Sequence, residues 1–369
     1  MSSIICAATS AASCDIAAGE IRKKLEGAPK LVIYFAAPSY DQDELAFRMR
    51  GAFAGATVLG CSTAGELVSG AMLENSVCAM AFYDAAILRA HAAPVRNIRN
   101  RDDVRSALRE LAGAFCIPPE RWGSERRVAV VLTDGMCAAE RMMEELSSSS
   151  DAVFIGGAAA DYWKFGRTSV HCGGRAFSGG AVIALLECAN PFGLLKTQSF
   201  RPTGKMLTVT RADEETRVVR EFDGVPARDA YMRALGAATQ REAEERFMRN
   251  PLALMLGGDP YVRGLQRFDG GDLYFYCAVP EGARLMLMEA TDIVADTAAD
   301  LAAKKKEMGG ISGILNFHCA HRTMALKAGG AMQAYADIFR DIPTAGFSTY
   351  GEQFRTILVN QTSTMLLFK

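Results

Sequence analysis

Small polar side chains lie between two glycines, directly after a short apolar stretch of the sequence. Residues 60–66 read GCSTAGE and follow the apolar run 56–59. The side chains in this stretch that could take part in binding or catalysis are Cys61, Ser62, Thr63 and Glu66. The glycines permit backbone conformations and close approaches that larger residues cannot make. A polar, glycine-hinged loop at a strand end is a common small-molecule site in α/β proteins. A tight turn capped by a hydroxyl is the simpler alternative.

A second loop of the same character occurs at residues 156–161, which read GGAAAD and follow the strand-like run 152–155. Asp161 and Glu66 could converge as a carboxylate pair for acid–base chemistry. Each could instead cap its own loop, which is the commoner role. Because both loops end buried strands, we expect them to line one shared cavity.

Residues 318–322 read HCAHR and form the one cluster of the sequence with metal-ligand character. Two histidines three positions apart share a face on a helix but diverge on a strand, and the preceding run 313–317 resembles a strand. Zinc would need further ligands that the sequence does not supply, whereas haem needs a single axial ligand. The candidate metal ligands are His318, His321 and His91, with His171 a poorer candidate because of its glycine-rich surroundings. Exposed histidines at a strand end are the alternative.

Two neighbours of these histidines also carry chemistry. Cys319 would be a nucleophile if Arg322 or a histidine lowered its pKa, and is otherwise a buried thiol. The planar fork of Arg322 suits a carboxylate ligand. A salt bridge from Arg322 to Glu352 is the alternative.

The elements that must position these residues are apolar strands that alternate with amphipathic helices. Asp41 and Glu44 form a capping pair that opens a helix, with Leu45, Met49 and Phe53 on one face. Strand-helix-strand units of this kind alternate with apparent hairpins, such as the one predicted between 169–172 and 180–186. We therefore predict a mixed α/β fold, with mixed sheets flanked by helices. The predicted strands include those at 30–35, 57–60, 127–132, 152–155 and 313–317.

Composition excludes several classes of function. The net charge of the 369 residues is −1, so nothing calls for nucleic acid or an anionic membrane as partner. No apolar run approaches the roughly 20 residues of a membrane helix, and the N-terminus lacks a secretory signal, so we expect a cytoplasmic protein. The ten cysteines form no CxxC pair, which argues against a disulfide framework. Phosphate-loop, GxGxxG, GxSxG and HExxH motifs are absent from the sequence.

Seven short motifs, taken in order, resemble the FIST family, whose name abbreviates F-box and intracellular signal transduction. They lie at residues 60–66, 133–135, 156–161, 222–227, 319–322, 346–352 and 360–362. The resemblance implies an N-terminal FIST domain at 1–220 and a C-terminal one at 221–369, packed together. It also implies a cytoplasmic, non-catalytic sensory protein of signal transduction that binds a small ligand.

The resemblance leaves the ligand open. Some members resemble nitric-oxide sensors that bind haem and regulate histidine kinases or cyclic-di-GMP enzymes, while others are thought to bind amino acids or similar metabolites. We expect haem or a small carboxylate metabolite as ligand and a separate signalling protein as partner. A cysteine-dependent enzyme is a further alternative to the sensor. His318 departs from the family pattern, which has a small or acidic residue there. The predicted ligand-binding set consists of Cys61, Ser62, Thr63, Glu66, Asp161, Cys319, Arg322 and Glu352.

Overall fold

The computed structural model describes residues 3–369, which form nine α-helices and 26 strands in that part of the chain. The helices are α1 (Cys14–Lys24), α2 (Gln42–Ala52), α3 (Arg101–Phe115), α4 (Glu140–Ser149), α5 (Ala227–Leu235), α6 (Gln240–Glu245), α7 (Ile293–Met308), α8 (Ala320–Ala328) and α9 (Met332–Asp337). No helix within residues 3–369 has the length and apolar character needed to cross a bilayer.

The strands are β1 (Ile4–Thr9), β2 (Leu31–Ala36), β3 (Thr57–Ser62), β4 (Glu66–Val68), β5 (Ala71–Leu73), β6 (Val77–Phe82), β7 (Ile87–Val95), β8 (Arg127–Thr133), β9 (Val153–Ala158), β10 (Val170–Cys172), β11 (Arg175–Phe177), β12 (Ala181–Cys188) and β13 (Gly193–Gln198). They continue with β14 (Phe200–Asp213), β15 (Val218–Phe222), β16 (Val225–Pro226), β17 (Leu252–Leu256), β18 (Asp259–Arg263), β19 (Leu265–Asp269), β20 (Asp272–Phe275), β21 (Arg284–Ala290), β22 (Gly313–Cys319), β23 (Thr344–Thr349), β24 (Glu352–Phe354), β25 (Ile357–Val359) and β26 (Thr362–Phe368).

Three parts of the chain fold in the same way. Each begins with a strand and continues helix, strand, helix, strand, hairpin and strand; the second helix is split into α8 and α9 in the third part. The first repeat runs from β1 to β6 and the second from β7 to β12. The third consists of β13 and then α7 to β26. The strand orders β1-β6-β2-β3, β7-β12-β8-β9 and β13-β26-β22-β23 are equivalent, and the last two strands of each order are parallel. We call these three repeats the repeat core.

Each repeat gives its hairpin to the sheet of another repeat. The β4–β5 hairpin of the first repeat pairs with β23 of the third, and β24–β25 of the third pairs with β9 of the second. The β10–β11 hairpin of the second repeat pairs with β3 of the first. The exchange is therefore a closed ring, and it joins the three sheets at their edges.

The inner faces of the three sheets share one hydrophobic core. Phe35, Phe317 and Phe347 meet at its centre, with the Phe35 and Phe347 rings stacked at 4.7 Å. The helices cover the outer faces, and α2 shows how the sequence produces them. Asp41 caps this helix by accepting the Glu44 N–H at 2.9 Å, and its apolar stripe is buried against the sheet. The predicted capping pair and the predicted mixed α/β fold are both confirmed.

A fourth sheet occupies residues 200–290 and is inserted between β13 and α7 of the third repeat. It is antiparallel, contains β14 to β21, and packs α5 and α6 on its own hydrophobic core. We call it the inserted sheet. The predicted division at residue 220 falls within β15 of this sheet, and that division stays a prediction.

The predicted hairpin between 169–172 and 180–186 is wrong. The chain does turn at residues 173–174, but β10 pairs with the short strand β11, while β12 lies between β7 and β8 in another sheet. The three-residue β11 is too short and too polar to give a clear strand signal. The sequence pattern therefore favours the longer apolar β12 as the partner of β10.

Candidate functional site

Three polar loops meet at one end of the repeat core. They follow β3, β9 and β23, the second strands of the three parallel pairs. Main-chain hydrogen bonds join each loop to the others; they run from Ala160 N to Ser62 O (3.0 Å), from Ala64 N to Ser348 O (3.0 Å) and from Tyr350 N to Ala158 O (3.2 Å). We call this meeting point the hub. The loops at residues 60–66 and 156–161 thus lie side by side in the hub, while the shared cavity expected between them stays a prediction.

One glycine in each repeat makes the hub possible. Gly60, Gly156 and Gly346 lie opposite Tyr34, Val131 and Asn316 on the neighbouring parallel strand. A Cβ atom at these glycines would be 2.5, 1.7 and 2.0 Å from the carbonyl oxygens of those residues. Only glycine allows this approach, so the three glycines are required by packing.

Glu66 and Glu352 are buried anchors of the hub. Glu352 accepts hydrogen bonds from Thr349 Oγ1 and Thr362 Oγ1, both at 2.7 Å, and from Thr362 N. Glu66 accepts the equivalent bonds from Thr63 and Ser76. Burial raises the pKa of each carboxyl to about 7, although these hydrogen bonds oppose the rise.

Asp161 organises the loop that follows it. Its carboxylate accepts main-chain N–H bonds from Phe165, Gly166 and Arg167 at 2.7 to 3.1 Å, and the Tyr350 hydroxyl at 2.6 Å. Burial would raise the pKa of Asp161, but these hydrogen bonds outweigh it and lower the pKa. Since Asp161 and Glu66 bond to separate partners, they do not form the carboxylate pair that the sequence allowed.

A small cavity lies between the hub and the inserted sheet. Its volume is about 180 Å³, and half of its ten lining residues carry aromatic rings: Trp163, Phe165, Tyr276, His321 and Tyr350. Arg217 of the inserted sheet also lines it and forms a two-point ion pair with Glu140 at 2.8 and 2.9 Å. We call it the aromatic cavity.

A larger groove of about 730 Å³ runs between α6, α7 and α8. Its wall includes the apolar side chains of Phe200, Ile293 and Leu326 together with the guanidinium groups of Arg249 and Arg322. We call it the arginine groove. Its volume is within the range of roughly 300–1,000 Å³ that small-molecule pockets occupy.

Arg322 is only 3% exposed, yet it has no acidic partner among residues 3–369. Its Nη2 donates to Thr297 Oγ1 at 2.8 Å and its Nη1 donates to Ser199 Oγ at 3.4 Å, while Nε has no acceptor. The alternative that the sequence left open, a salt bridge from Arg322 to Glu352, is wrong, because Glu352 is held by threonines of the hub. Since a buried charge without a counter-ion is costly, this arginine is suited to an anionic ligand.

Two family models match consecutive parts of this chain. The FIST N domain matches residues 30–225 and the FIST C domain matches residues 227–355. The chain belongs to the FIST family. Comparison with curated proteins gave no match. FIST domains are sensory, ligand-binding domains of signal transduction, so the resemblance drawn from the seven motifs is confirmed.

In this FIST protein, only two of the residues predicted to bind a ligand or metal line either cavity: Arg322 and His321. The other predicted residues lie in the hub, in the buried strand β22 or on the surface, and their predicted roles in binding are not tested by their positions. Cys61, Ser62, Thr63 and Glu66 are all buried beneath the loops. Burial raises the pKa of Cys61 and of Cys319 well above the usual value, which disfavours the reactive thiolate form.

The histidines of the HCAHR cluster lie on different elements. His318 is the penultimate residue of β22, where its Nδ1 is 3.0 Å from the Tyr335 hydroxyl, and it is fully buried outside both cavities. His321 belongs to α8 and packs between Trp163 and Tyr276, with ring centroids 4.7 and 4.9 Å away. Burial lowers the pKa of His321 to about 4, so its imidazole is neutral at pH 7. The two rings therefore cannot chelate one ion as a helical pair.

His91 is half-exposed on β7, 3.2 Å from Glu110. Within residues 3–369, no three His, Cys, Asp or Glu side chains form a group that could hold a metal ion. This finding does not bear on haem, which needs one axial ligand.

Sequence reasoning missed the partners of Arg322 and most of the aromatic wall. Ser199 and Thr297 are ordinary hydroxyl residues far from Arg322 in the sequence, and nothing local distinguishes them. Trp163 and Phe165 had a usable signal, because an aromatic run directly follows the GGAAAD loop.

Proposed function

We propose that this FIST protein is a sensor of a small carboxylate metabolite, and that Arg322 binds the carboxylate in the arginine groove. The observation that carries the proposal is a buried guanidinium with no acidic partner in the described chain and an Nε without an acceptor. Arginine suits this role because its planar fork matches two carboxylate oxygens. The apolar side chains of the groove would contact the rest of the metabolite.

The contacts of Arg322 also suggest how binding would be transmitted. Ser199 lies between β13 and β14, where the chain enters the inserted sheet, and Thr297 lies on α7, where it leaves. A ligand that binds the guanidinium of Arg322 would compete with the hydroxyls of Ser199 and Thr297 for its N–H groups. Binding would thus alter both connections of the inserted sheet to the repeat core. In this proposal the protein acts in the cytoplasm and signals to a separate protein, such as a histidine kinase or a cyclic-di-GMP enzyme.

A thermal-shift screen tests the proposal. We would use acetate, propionate, succinate, L-alanine and L-glutamate on the wild type, on Arg322→Gln and on Arg249→Gln, which removes a second cation from the same groove. At least one carboxylate should stabilise the wild type and Arg249→Gln but not Arg322→Gln. Circular dichroism checks that Arg322→Gln is folded. Equal shifts in all three proteins would refute the role of Arg322.

Haem-based nitric oxide sensing is the second candidate, and His321 is the observation that favours it. The aromatic cavity is too small for a tetrapyrrole, so haem would have to enter the arginine groove. There His321 would hold the iron, and Arg322 and Arg249 would bind the propionates. When bound, haem would supply the iron that binds nitric oxide. After haem reconstitution, His321→Ala should lose the Soret band, while His318→Ala and His91→Ala should keep it. No band in the wild type would remove this candidate.

A further inference from the structure

We propose that the aromatic cavity is a second ligand site, separate from the arginine groove, and that it binds a small quaternary ammonium group. Rings of Trp163, Phe165, Tyr276 and Tyr350 line its volume of about 180 Å³. Aromatic faces attract cations, and cages of such rings are how proteins recognise quaternary ammonium groups. The proposal does not rest on the carboxylate site.

The charges around the cavity favour a cation. Asp161 is a buried carboxylate, 2% exposed, and no cationic side chain of the described residues forms an ion pair with it. It accepts the Tyr350 hydroxyl, and this bond places negative charge at the hydroxyl edge of one of the rings. Two groups of the wall, Arg217 and His321, could repel a cation, and the charge of each is reduced. Glu140 neutralises Arg217 through two hydrogen bonds, and His321 is uncharged at pH 7.

The wall of the cavity is held in an unusual backbone conformation. Trp163 and Phe165 have φ angles of 63° and 49°, and Arg217 across the cavity has a φ of 58°. Bulky side chains rarely adopt this left-handed region, and such residues cluster at ligand sites. The hydrogen bonds to Asp161, and one from Trp163 N to Tyr350 Oη at 2.5 Å, fix the loop. The rings are therefore positioned before any ligand arrives, which lowers the cost of binding.

The size of the cavity limits what it can take. Its volume is below the range of small-molecule pockets, so it would admit a head group rather than a whole metabolite. Phe165 and Met136 are 45% and 44% exposed at the same site. The rest of the bound ligand would extend out of the cavity past these two side chains.

Trp163 makes binding measurable, because the chain has only one other tryptophan, the fully buried Trp122. We would titrate choline, tetramethylammonium and 3,3-dimethylbutan-1-ol, the neutral isostere of choline, and follow tryptophan fluorescence. Both cations should give saturable changes, and the neutral isostere should bind about tenfold more weakly, as a cation–π contribution requires. Equal binding of choline and its isostere, or no saturable change, would overturn the proposal.

Variants then localise the site by calorimetry. Tyr276→Leu should weaken choline binding about tenfold, while Tyr276→Phe, which keeps the ring, should restore it. Tyr274→Leu is the matched control, since that ring lies on the same sheet but outside the cavity, against Arg267. Arg322→Gln should bind choline like the wild type, which separates this site from the carboxylate site. Loss of binding in Tyr274→Leu but not in Tyr276→Leu would contradict the assignment.

Discussion

Glu66 and Glu352 hold their loops through the same hydrogen bonds, in the first and third repeats. Each accepts a bond from the threonine three residues before it, and each accepts the main-chain N–H and the hydroxyl of the residue ten positions after it. Both carboxyls are buried, and burial raises the pKa of each to about 7. Two distant parts of the sequence thus form the same hydrogen-bonded loop, and in both the pKa of the buried carboxyl is raised.

The first prediction concerns stability against pH. An acid whose pKa rises from 4.5 to about 7 on folding is stabilising when protonated, so its contribution is lost as pH rises from 4.5 through 7. Glu352→Gln keeps the neutral shape and removes this loss. Relative to the wild type, the variant should gain on the order of 2 kcal/mol in free energy of unfolding between pH 5 and pH 8. Urea denaturation at several pH values measures the difference.

Buried histidines act in the opposite direction, but they are present in both proteins, so the difference between variant and wild type isolates Glu352. Burial lowers the pKa of His171 to about 3 and of His321 to about 4, so their contributions are lost as pH falls below about 6.5. Glu26→Gln, at an exposed position, is the control and should show no such gain. A constant difference between Glu352→Gln and the wild type from pH 5 to pH 8 would contradict the prediction.

The second prediction concerns the hub glycines. Gly346→Ala would place a Cβ 2.0 Å from the Asn316 carbonyl oxygen, so neighbouring strands must move apart. We expect a loss of about 1–3 kcal/mol or more in the free energy of unfolding. Gly19→Ala in α1 is the control, because nothing lies within 4 Å of its new Cβ. That variant should gain roughly 0.5–1 kcal/mol. Equal stability of the two variants would show that the strands at Gly346 can separate freely.

The third prediction distinguishes a sensor from a cysteine-dependent enzyme. Cys116 is exposed, whereas Cys61 and Cys319 are buried and burial raises their pKa. Iodoacetamide at pH 7.5 (about one unit below the usual thiol pKa) should label Cys116 first and leave the other two unmodified in the folded protein. Mass spectrometry identifies the sites, and labelling in urea provides the control for all ten cysteines. Fast labelling of folded Cys319 would favour the enzyme.

Much of the fold follows from local sequence patterns. Buried strands such as β2 and β8 are continuous apolar runs, and the helix α2 carries both its cap and its apolar stripe, so each element is encoded within itself. The exchange of hairpins between repeats could not be predicted in this way. Its strands have only three residues, and their partners lie far away in the sequence. Residues 60–66 and 346–352 share a pattern, GCSTAGE and GFSTYGE, and this pattern is a sign of the repeats in the sequence itself.

In the candidate site too, properties of single residues could be predicted from the sequence, whereas contacts between distant residues could not. Arg322 was recognisable because guanidinium chemistry is a property of one residue. The alternative of a salt bridge to Glu352 was wrong, because threonines of the hub satisfy that carboxyl. The sequence alone does not show which of several possible partners a buried carboxyl takes. The aromatic cavity depends on contacts between the hub and the inserted sheet, which only the folded chain brings together.

The most direct test of the central claim is a calorimetric titration of the wild type with the carboxylate that gives the largest thermal shift, and then with its primary amide. The amide has nearly the same shape but no charge. If Arg322 binds the carboxylate, the amide should bind at least tenfold more weakly, and Arg322→Lys, which keeps the charge but loses the fork, should give an intermediate affinity for the carboxylate. Equal affinities for the acid and the amide would contradict the account.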